Sequence, residues 1–286
     1  MATYFIGPEQ PFLYNAAGSG VGAFSTGGLC YGGRAISENV GNEVRAAGNY
    51  RPIFLRDGMH RGYGSMDFYV QGYSGILAKI VRVSTKLTDF SLRVGNTEEY
   101  ETHKYCKVDT ARIEAVAGGD LRCSLDWKAT EVAVATGDIY TAHPAPSGNK
   151  NQIWCNAAIA GFGNYRAAAP AALEIIAFSL SISNNVDWLP VLDTAVAPER
   201  KAKYLREGGQ VVAVNIRALA MPNVDLSANA ISQLGTVTFT FDNGDTTILM
   251  TLSDLLMVQQ ERPINPDTLI EHGVNYMVRA VAIAAS

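Results

Sequence analysis

The segment TVTFTFDNGDTTILMTL, Thr236 to Leu252, most constrains what this chain can fold into. Two runs of alternating apolar and polar residues flank Asn243-Gly244, the pair that two-residue hairpin turns prefer because both central residues take positive φ. A strand pair is therefore expected, and a register comes with it. A two-residue turn sets Phe239 opposite Ile248 and Val237 opposite Met250 on one face, with Thr238, Thr240, Thr247 and Thr251 on the other. Asp242 and Asp245 flank the tip and keep it soluble. One apolar face and one hydroxyl-rich face suit a hairpin that covers a core on one side and meets water on the other.

The same logic recurs upstream. Leu121, Cys123, Leu125, Trp127 and Ala129 alternate strictly with Arg122, Ser124, Asp126 and Lys128, following the turn residues Gly118, Gly119 and Asp120. A three-residue turn sets Ala115 opposite Cys123, Ile113 opposite Leu125 and Ala111 opposite Trp127, and it leaves Glu114 and Asp126 on the polar face. SMDFYV, LEIIAFSLSIS and QVVAVNIRAL also alternate, whereas VNYMVRAVAIAA is apolar on both faces, as a central or interface strand would be. A helical period appears in GYSGILAKIVRVSTKL, where Tyr73, Ile76, Leu77, Ile80 and Val81 share one face and Ser74 is placed to cap the first turn. The fold class is mainly β with a short flanking helix.

Glycine placement suggests how the chain is divided. Residues 1–48 read as a glycine-rich N-terminal arm and residues 49–286 as one domain, with sheet-forming halves at about 60–135 and 171–286 joined by an Ala/Gly-rich segment, 137–170. Within the arm, GSGVGA matches the G-x-G-x-x-A pattern that cradles a dinucleotide. That pattern needs a strand before it and a helix after it. Here Pro8 and Pro11 precede it, and Gly27, Gly28, Gly32 and Gly33 follow. Gly18, Gly20, Gly22, Gly27 and Gly28 are read instead as parts of an extended arm whose ordering is offset by contact with neighbouring subunits.

Composition and spacing exclude several classes of chemistry. Charged residues make up 17% of the 286-residue chain and the net charge is -4, so a nucleic-acid binder's basic footprint is missing and much of the surface is free for subunit contacts. His60, His103, His143 and His272 are scattered, and Cys30, Cys106, Cys123 and Cys155 form no C-x-x-C pair. Reduced thiols in a soluble protein are the expectation. Ser19 and Ser74 do not complete a nucleophile elbow, and Asp57 with His60 in RDGMHRGYG reads as a charged turn. Asp242 and Asp245 lack the run of oxygen ligands that a calcium site supplies. No catalytic, cofactor or metal site is expected, and the chain does not read as an enzyme.

The order of elements is itself informative: strand MDFYV, helix GYSGILAKIV, the hairpin in KYCKVDTARIEAVAGGDLRCSLDWKA, then FSLSISNNVDW, EGGQVVAVNI and a closing strand. This order resembles the major tail tube proteins of long-tailed bacteriophages over approximately Gly62 to Ala135 and Leu173 to Ala284. The resemblance implies a β-sandwich or barrel with a flanking helix, whose hairpins join a ring-shaped inner barrel in hexameric rings stacked into a tube. It also implies partners: further copies of the chain, a tape measure protein, a tail terminator, baseplate or hub proteins, and a sheath protein where one surrounds the tube. Double-stranded DNA would cross the lumen without specific binding. The site would be the virion tail, assembled in the host cytoplasm.

A lumen for DNA should be neutral or acidic. On that ground the lumen-facing candidates are Thr238, Thr240, Asp242, Asp245 and Thr247 on one hairpin and Glu114 and Asp126 on the other, with the Thr/Asp hairpin preferred. Other readings are a decoration or capsid-associated virion protein, a type VI secretion-like tube protein, and a β-sandwich enzyme.

Overall fold

Burial alternates along residues 61–69, 110–116, 122–129, 178–182, 211–218, 236–241 and 273–278 of the computed structural model, as a half-buried strand requires. The structure describes residues 2–5, 12–21, 24–26, 29–44, 54–70, 75–95, 98–117, 119–137, 158–160, 175–189, 204–219, 233–242, 247–261 and 271–285. In chain order the strands are β1 (Ala2–Phe5), β2 (Leu13–Asn15), β3 (Ser25–Thr26), β4 (Leu29–Val44), β5 (Phe54–Tyr69), β6 (Phe90–Gly95), β7 (Glu99–Val116), β8 (Arg122–Ala129) and β9 (Glu131–Thr136). They continue with β10 (Ala158–Ala160), β11 (Ile175–Ser183), β12 (Val186–Leu189), β13 (Tyr204–Glu207), β14 (Val211–Leu219), β15 (Gln233–Asp242), β16 (Thr247–Glu261) and β17 (Glu271–Ala285). A single turn of helix, α1 (Leu77–Ile80), follows β5.

One large antiparallel sheet runs β1-β4-β5-β8-β7-β11-β14-β17-β16-β15-β10, and β12 pairs with β13 separately. The first half of β7 also pairs with β6 and β9, and β6 pairs with β2, so a smaller sheet branches off there. The branch point is Tyr105, at φ 52, a left-handed conformation that an aromatic residue rarely adopts. Before it, Glu99–Lys104 pair with β9; after it, Lys107–Glu114 pair with β8. The backbone N–H of Tyr105 donates to the Gly18 carbonyl at 2.7 Å, which ties the bend to the turn after β2.

The large sheet curls on itself. Phe178 on β11 meets Phe239 on β15 with ring centroids 4.5 Å apart, and Phe241 at 5.8 Å. Four strand steps separate β11 from β15, about 19 Å along a flat sheet. Closure of this kind makes two face-to-face layers with one core between them, a β-sandwich. Trp127, Phe68, Ile113, Leu180, Val214, Tyr276, Met250 and Phe239 all belong to that core.

Both sequence-derived hairpin registers are corrected by two residues. In β15–β16 the pairs are Phe241↔Ile248, Phe239↔Met250 and Val237↔Leu252, and Asp242↔Thr247 is the last rung before a four-residue connection. A two-residue turn would have left Phe241 opposite Thr246, whereas the longer connection sets all three apolar pairs together in the core. In β7–β8, Ile113 faces Cys123, Ala111 faces Leu125 and Val108 faces Trp127. The tip opens because its two arms are held elsewhere: Ala115 and Val116 pair with β11, and the Leu121 carbonyl accepts from Val70 N–H at 2.9 Å. An even shift keeps every side chain on its expected face.

Three other readings change. The helix is one turn rather than the span of the periodic pattern, and its N-cap, Ile76, makes no side-chain cap; Ser74 and Tyr73 lie outside the described residues. Ile76, Leu77, Ile80 and Val81 are buried as the periodicity requires. Asp57-Gly58 is not a turn but part of β5, at a bulge where two residues oppose Gly41. Lastly, the described residues between 1 and 48 pack into the sheets. Phe12, Leu13, Tyr14, Cys30 and Ala35 are buried, and β4 pairs with β5 from Leu29↔Tyr69 to Val44↔Phe54. Most of the 137–170 segment lies outside the described residues, but β10 within it pairs with β15.

Candidate functional site

The motif SISNN builds the junction that fixes the polar faces. Asn184 is fully buried, and its Nδ2 donates to the Ile80 carbonyl at 3.0 Å and to the Val108 carbonyl at 3.1 Å. Its Oδ1 accepts from Gln210 Nε2 at 2.7 Å. One side chain thereby joins the helix end, the β7 bulge and the segment entering β14. Asn185, at φ 50, donates from Nδ2 to the Gly209 carbonyl at 2.6 Å.

The polar positions of β5, β8, β7 and β11 form one outer face. Ser65, Asp67, Thr110, Ser124, Asp126 and Ser181 line a trough of about 410 Å³ across these strands, shallow because most of the side chains are small. The two acidic candidates lie on this face, Asp126 in the trough and Glu114 beside it. Glu114 Oε1 meets Arg112 Nη2 at 2.5 Å, and Asp126 Oδ2 accepts from Thr110 Oγ1 at 2.5 Å.

Arg112, Arg122 and Lys128 on this face each meet their own neighbours. Arg112 also donates from Nε to Ser179 Oγ at 3.2 Å. Arg122 lies over the Tyr69 and Tyr31 rings at 5.4 and 5.9 Å. Lys128 meets Asp109 Oδ2 at 2.8 Å and stands over the Trp188 ring at 5.1 Å. Burial first, and then the negative charge of Asp67, push the Tyr31 phenol up.

The threonine candidates sit elsewhere. Thr238 and Thr240 are half-buried on the outer face of β15, with Thr238 opposite Thr251 and Thr240 opposite Leu249. Farther along this layer, Leu256 opposes Met277, which opposes Ala213, and Leu256, Val258 and Met277 are 47%, 61% and 51% exposed. Because β11 and β15 face each other across the core, the Thr face and the Glu114/Asp126 face point outward on opposite sides of the sandwich. They are not two parts of one surface. Asp245 and the side chains of Asp242 and Thr247 lie outside the described residues.

Of the glycine candidates, Gly18 and Gly20 occupy the turn after β2 and pack within the chain. A Cβ on Gly18 would press on Asp89 and Tyr105, and one on Gly20 on Lys104 and Thr102. Gly22, Gly27 and Gly28 lie outside the described residues. Sequence reasoning missed Asp67 as a trough residue, although its place between Met66 and Phe68 in an alternating strand already puts it on the polar face.

Among the described residues no three His, Cys, Asp or Glu side chains gather where they could hold a metal ion. The architecture is mainly β, with broad paired faces as its prominent features. The family of phage tail tube proteins matches residues 21–278, and the chain belongs to that family. It is thus a structural protein of the virion tail, a class that self-assembles into a tube with other tail proteins. No curated protein matches the chain.

Proposed function

We propose that this chain polymerises as hexameric rings stacked into the tail tube of a long-tailed bacteriophage, and that double-stranded DNA crosses the bore during ejection. The observation that carries the lumen assignment is the occupancy of Arg112, Arg122 and Lys128 by neighbours on the β5–β8–β7 face. A free lysine or arginine opposite phosphate adds a sequence-independent attraction. A face that occupies its own cations and also carries Asp67 and Asp126 would let DNA slide. This face, with Glu114 and Asp126, is assigned to the bore.

The preference of the sequence reading for the Thr/Asp hairpin is exchanged on a physical ground. Its layer exposes Leu256, Val258 and Met277, an apolar strip better suited to contact with protein than to a wet channel.

The ring contact is assigned to the far end of β4–β5. Beyond Gly62↔Ala129, where β8 ends, residues 39–44 and 54–60 pair only with each other among the described residues. A two-stranded ribbon is marginal alone, and docking on the next ring would support it. Assembly takes place in the host cytoplasm, with a tape measure protein, a tail terminator, baseplate or hub proteins and, in a sheathed tail, a sheath protein as partners.

Negative-stain electron microscopy across a concentration series tests the assembly. Hollow rings or tubes with sixfold end views are expected, and a monomer at every concentration would overturn it. The bore assignment is tested on tubes carrying Ser124→Cys or Thr240→Cys in a Cys155→Ser background. Ser124→Cys should react with a small maleimide but not with one coupled to a bead, and Thr240→Cys should not share that pattern. The reverse pattern would move the bore to the threonine face.

A further inference from the structure

The β12–β13 ribbon and the exposed strip on β16–β17 carry matching chemistry in two distant places. The inner face of the ribbon is spent on its own chain. Val186 and Leu205 pack with Leu87, Trp188 Nε1 donates to the Ala129 carbonyl at 2.9 Å, and Glu207 Oε1 meets Lys107 Nζ at 2.6 Å. Alternation turns the other side chains outward. Leu189 and Tyr204, 41% and 54% exposed, oppose each other as one rung, and exposed Asp187 opposes exposed Arg206 as the next rung on that face. On the strip Leu256 opposes Met277, and two residues along each strand Asp254 and Arg279 form an ion pair. Each surface is an apolar rung beside a charged rung that holds one acid and one base.

Whether acid would meet base depends on the hand of each rung. In an antiparallel sheet a residue gives both its N–H and its C=O to one neighbouring strand, so bonded and non-bonded rungs alternate. Gly208 N–H donates to the Asn185 carbonyl at 2.9 Å, which makes Asp187↔Arg206 and Leu189↔Tyr204 bonded rungs. Ala117 N–H donates to the Ile176 carbonyl at 2.8 Å. Counted from there, Ser181 bonds to Ala213, Ala213↔Met277 is non-bonded, and Met277↔Leu256 is bonded. Side chains of bonded rungs have their partner strand on the same side, so the two surfaces share one hand. Stacked face to face with the apolar rungs together, Asp187 comes over Arg279 and Arg206 over Asp254.

We propose that the β12–β13 ribbon of one copy docks on the β16–β17 strip of the next, with Leu189 on Met277, Tyr204 on Leu256 and the two charged rungs paired acid to base. This rests on the ring assembly proposed above and names its lateral contact. The ribbon's inner face is held against its own body, so its outer face is presented to a neighbour. Two different patches meet, and such a head-to-tail contact closes into a ring or continues as a filament. The apolar rungs supply attraction and the charged rungs set the register.

Charge reversal on the full chain tests this, because each reversal keeps an acid beside a base within its own chain. Asp187→Arg/Arg206→Asp and Asp254→Arg/Arg279→Asp should each raise the concentration at which rings or tubes appear by at least about tenfold, as facing like charges do. The fourfold variant should recover most of that loss. Either reversal assembling like wild type, or a folded fourfold variant no better than the two reversals, would overturn the contact. A second measurement stands apart from the reversals. Assembled Leu189→Cys/Met277→Cys protein in a Cys155→Ser background should give a covalent ladder with a short bis-maleimide, and each single cysteine variant should stay monomeric on a denaturing gel. Assembled protein that gives no ladder also overturns the contact while leaving ring assembly standing. A wild-type chain that stays monomeric at every concentration overturns both.

Discussion

Phe178 and Phe239 touch with ring centroids 4.5 Å apart across three intervening strands, and that contact closes the large sheet. Phe239→Ala should therefore cost about 3–5 kcal/mol, the range for a buried aromatic reduced to alanine. Thr238→Ala, one residue away on the outer face, should change stability by less than about 0.5 kcal/mol. Urea denaturation of the two variants checks the contrast.

Asn184 satisfies two carbonyls from different elements with one amide. Asn184→Ala strands both and should cost about 2–4 kcal/mol, on the order of two unsatisfied buried groups. Asn184→Asp preserves the shape but cannot donate, so it should be similarly costly. Asn185→Gly loses two exposed hydrogen bonds, one to the Gly209 carbonyl and one from Ser183 Oγ, while relieving a positive φ, and should stay within about 1 kcal/mol of wild type. Thermal melts of the three variants separate these outcomes.

Gly64 lets the β5 backbone lie against the Trp127 ring. A Cβ there would run into the Arg34 carbonyl oxygen and the edge of Trp127. Gly64→Ala should destabilise by at least about 1–3 kcal/mol, the cost of overpacking, and Trp127 emission should shift as the ring is displaced. Unchanged emission and stability would show that the core yields at this point.

Cys30, Cys106 and Cys123 are buried free thiols. Burial pushes all three up, Cys30 to about 12 from 9.0. Above pH 9 the unfolded chain loses its Cys30 proton while the folded chain keeps it. That part of the stability is complete below pH 9 and declines as pH rises toward about 12. A maleimide should leave these three thiols unmodified in the native protein at pH 8 and modify them in urea. Chemical denaturation from pH 8 to about 11 should show falling stability, with a shallower fall for Cys30→Ala.

What the sequence made legible was which way side chains face. Phe239, Met250, Cys123 and Leu125 sit on the core side because a period of two is set locally, by each residue's own neighbours. Register was less legible because distant pairings decide it. Val116 goes to β11 rather than closing its own hairpin, and Phe241, packed against Phe178 of the facing layer, takes Ile248 as its cross-strand partner. Asp57-Gly58 serves turns and bulges alike, and only the presence of β4 opposite decides between them. The glycine-rich start misled for a related reason. Leu29 to Val44 carries too little alternation to declare a strand, yet β5 supplies the missing partner. The polar-face candidates were found one hairpin at a time, and no local pattern could reveal that the curl of the sheet turns them away from each other.

At Tyr105 a single strand leaves one sheet and enters the other. Tension applied to the small sheet therefore reaches the large one along covalent main-chain bonds. The small and large sheets cannot slide past each other by rearranging side chains alone. Any shear must first break the backbone ladder on one side of that corner, so β7 acts as a tie rod through the wall of the subunit.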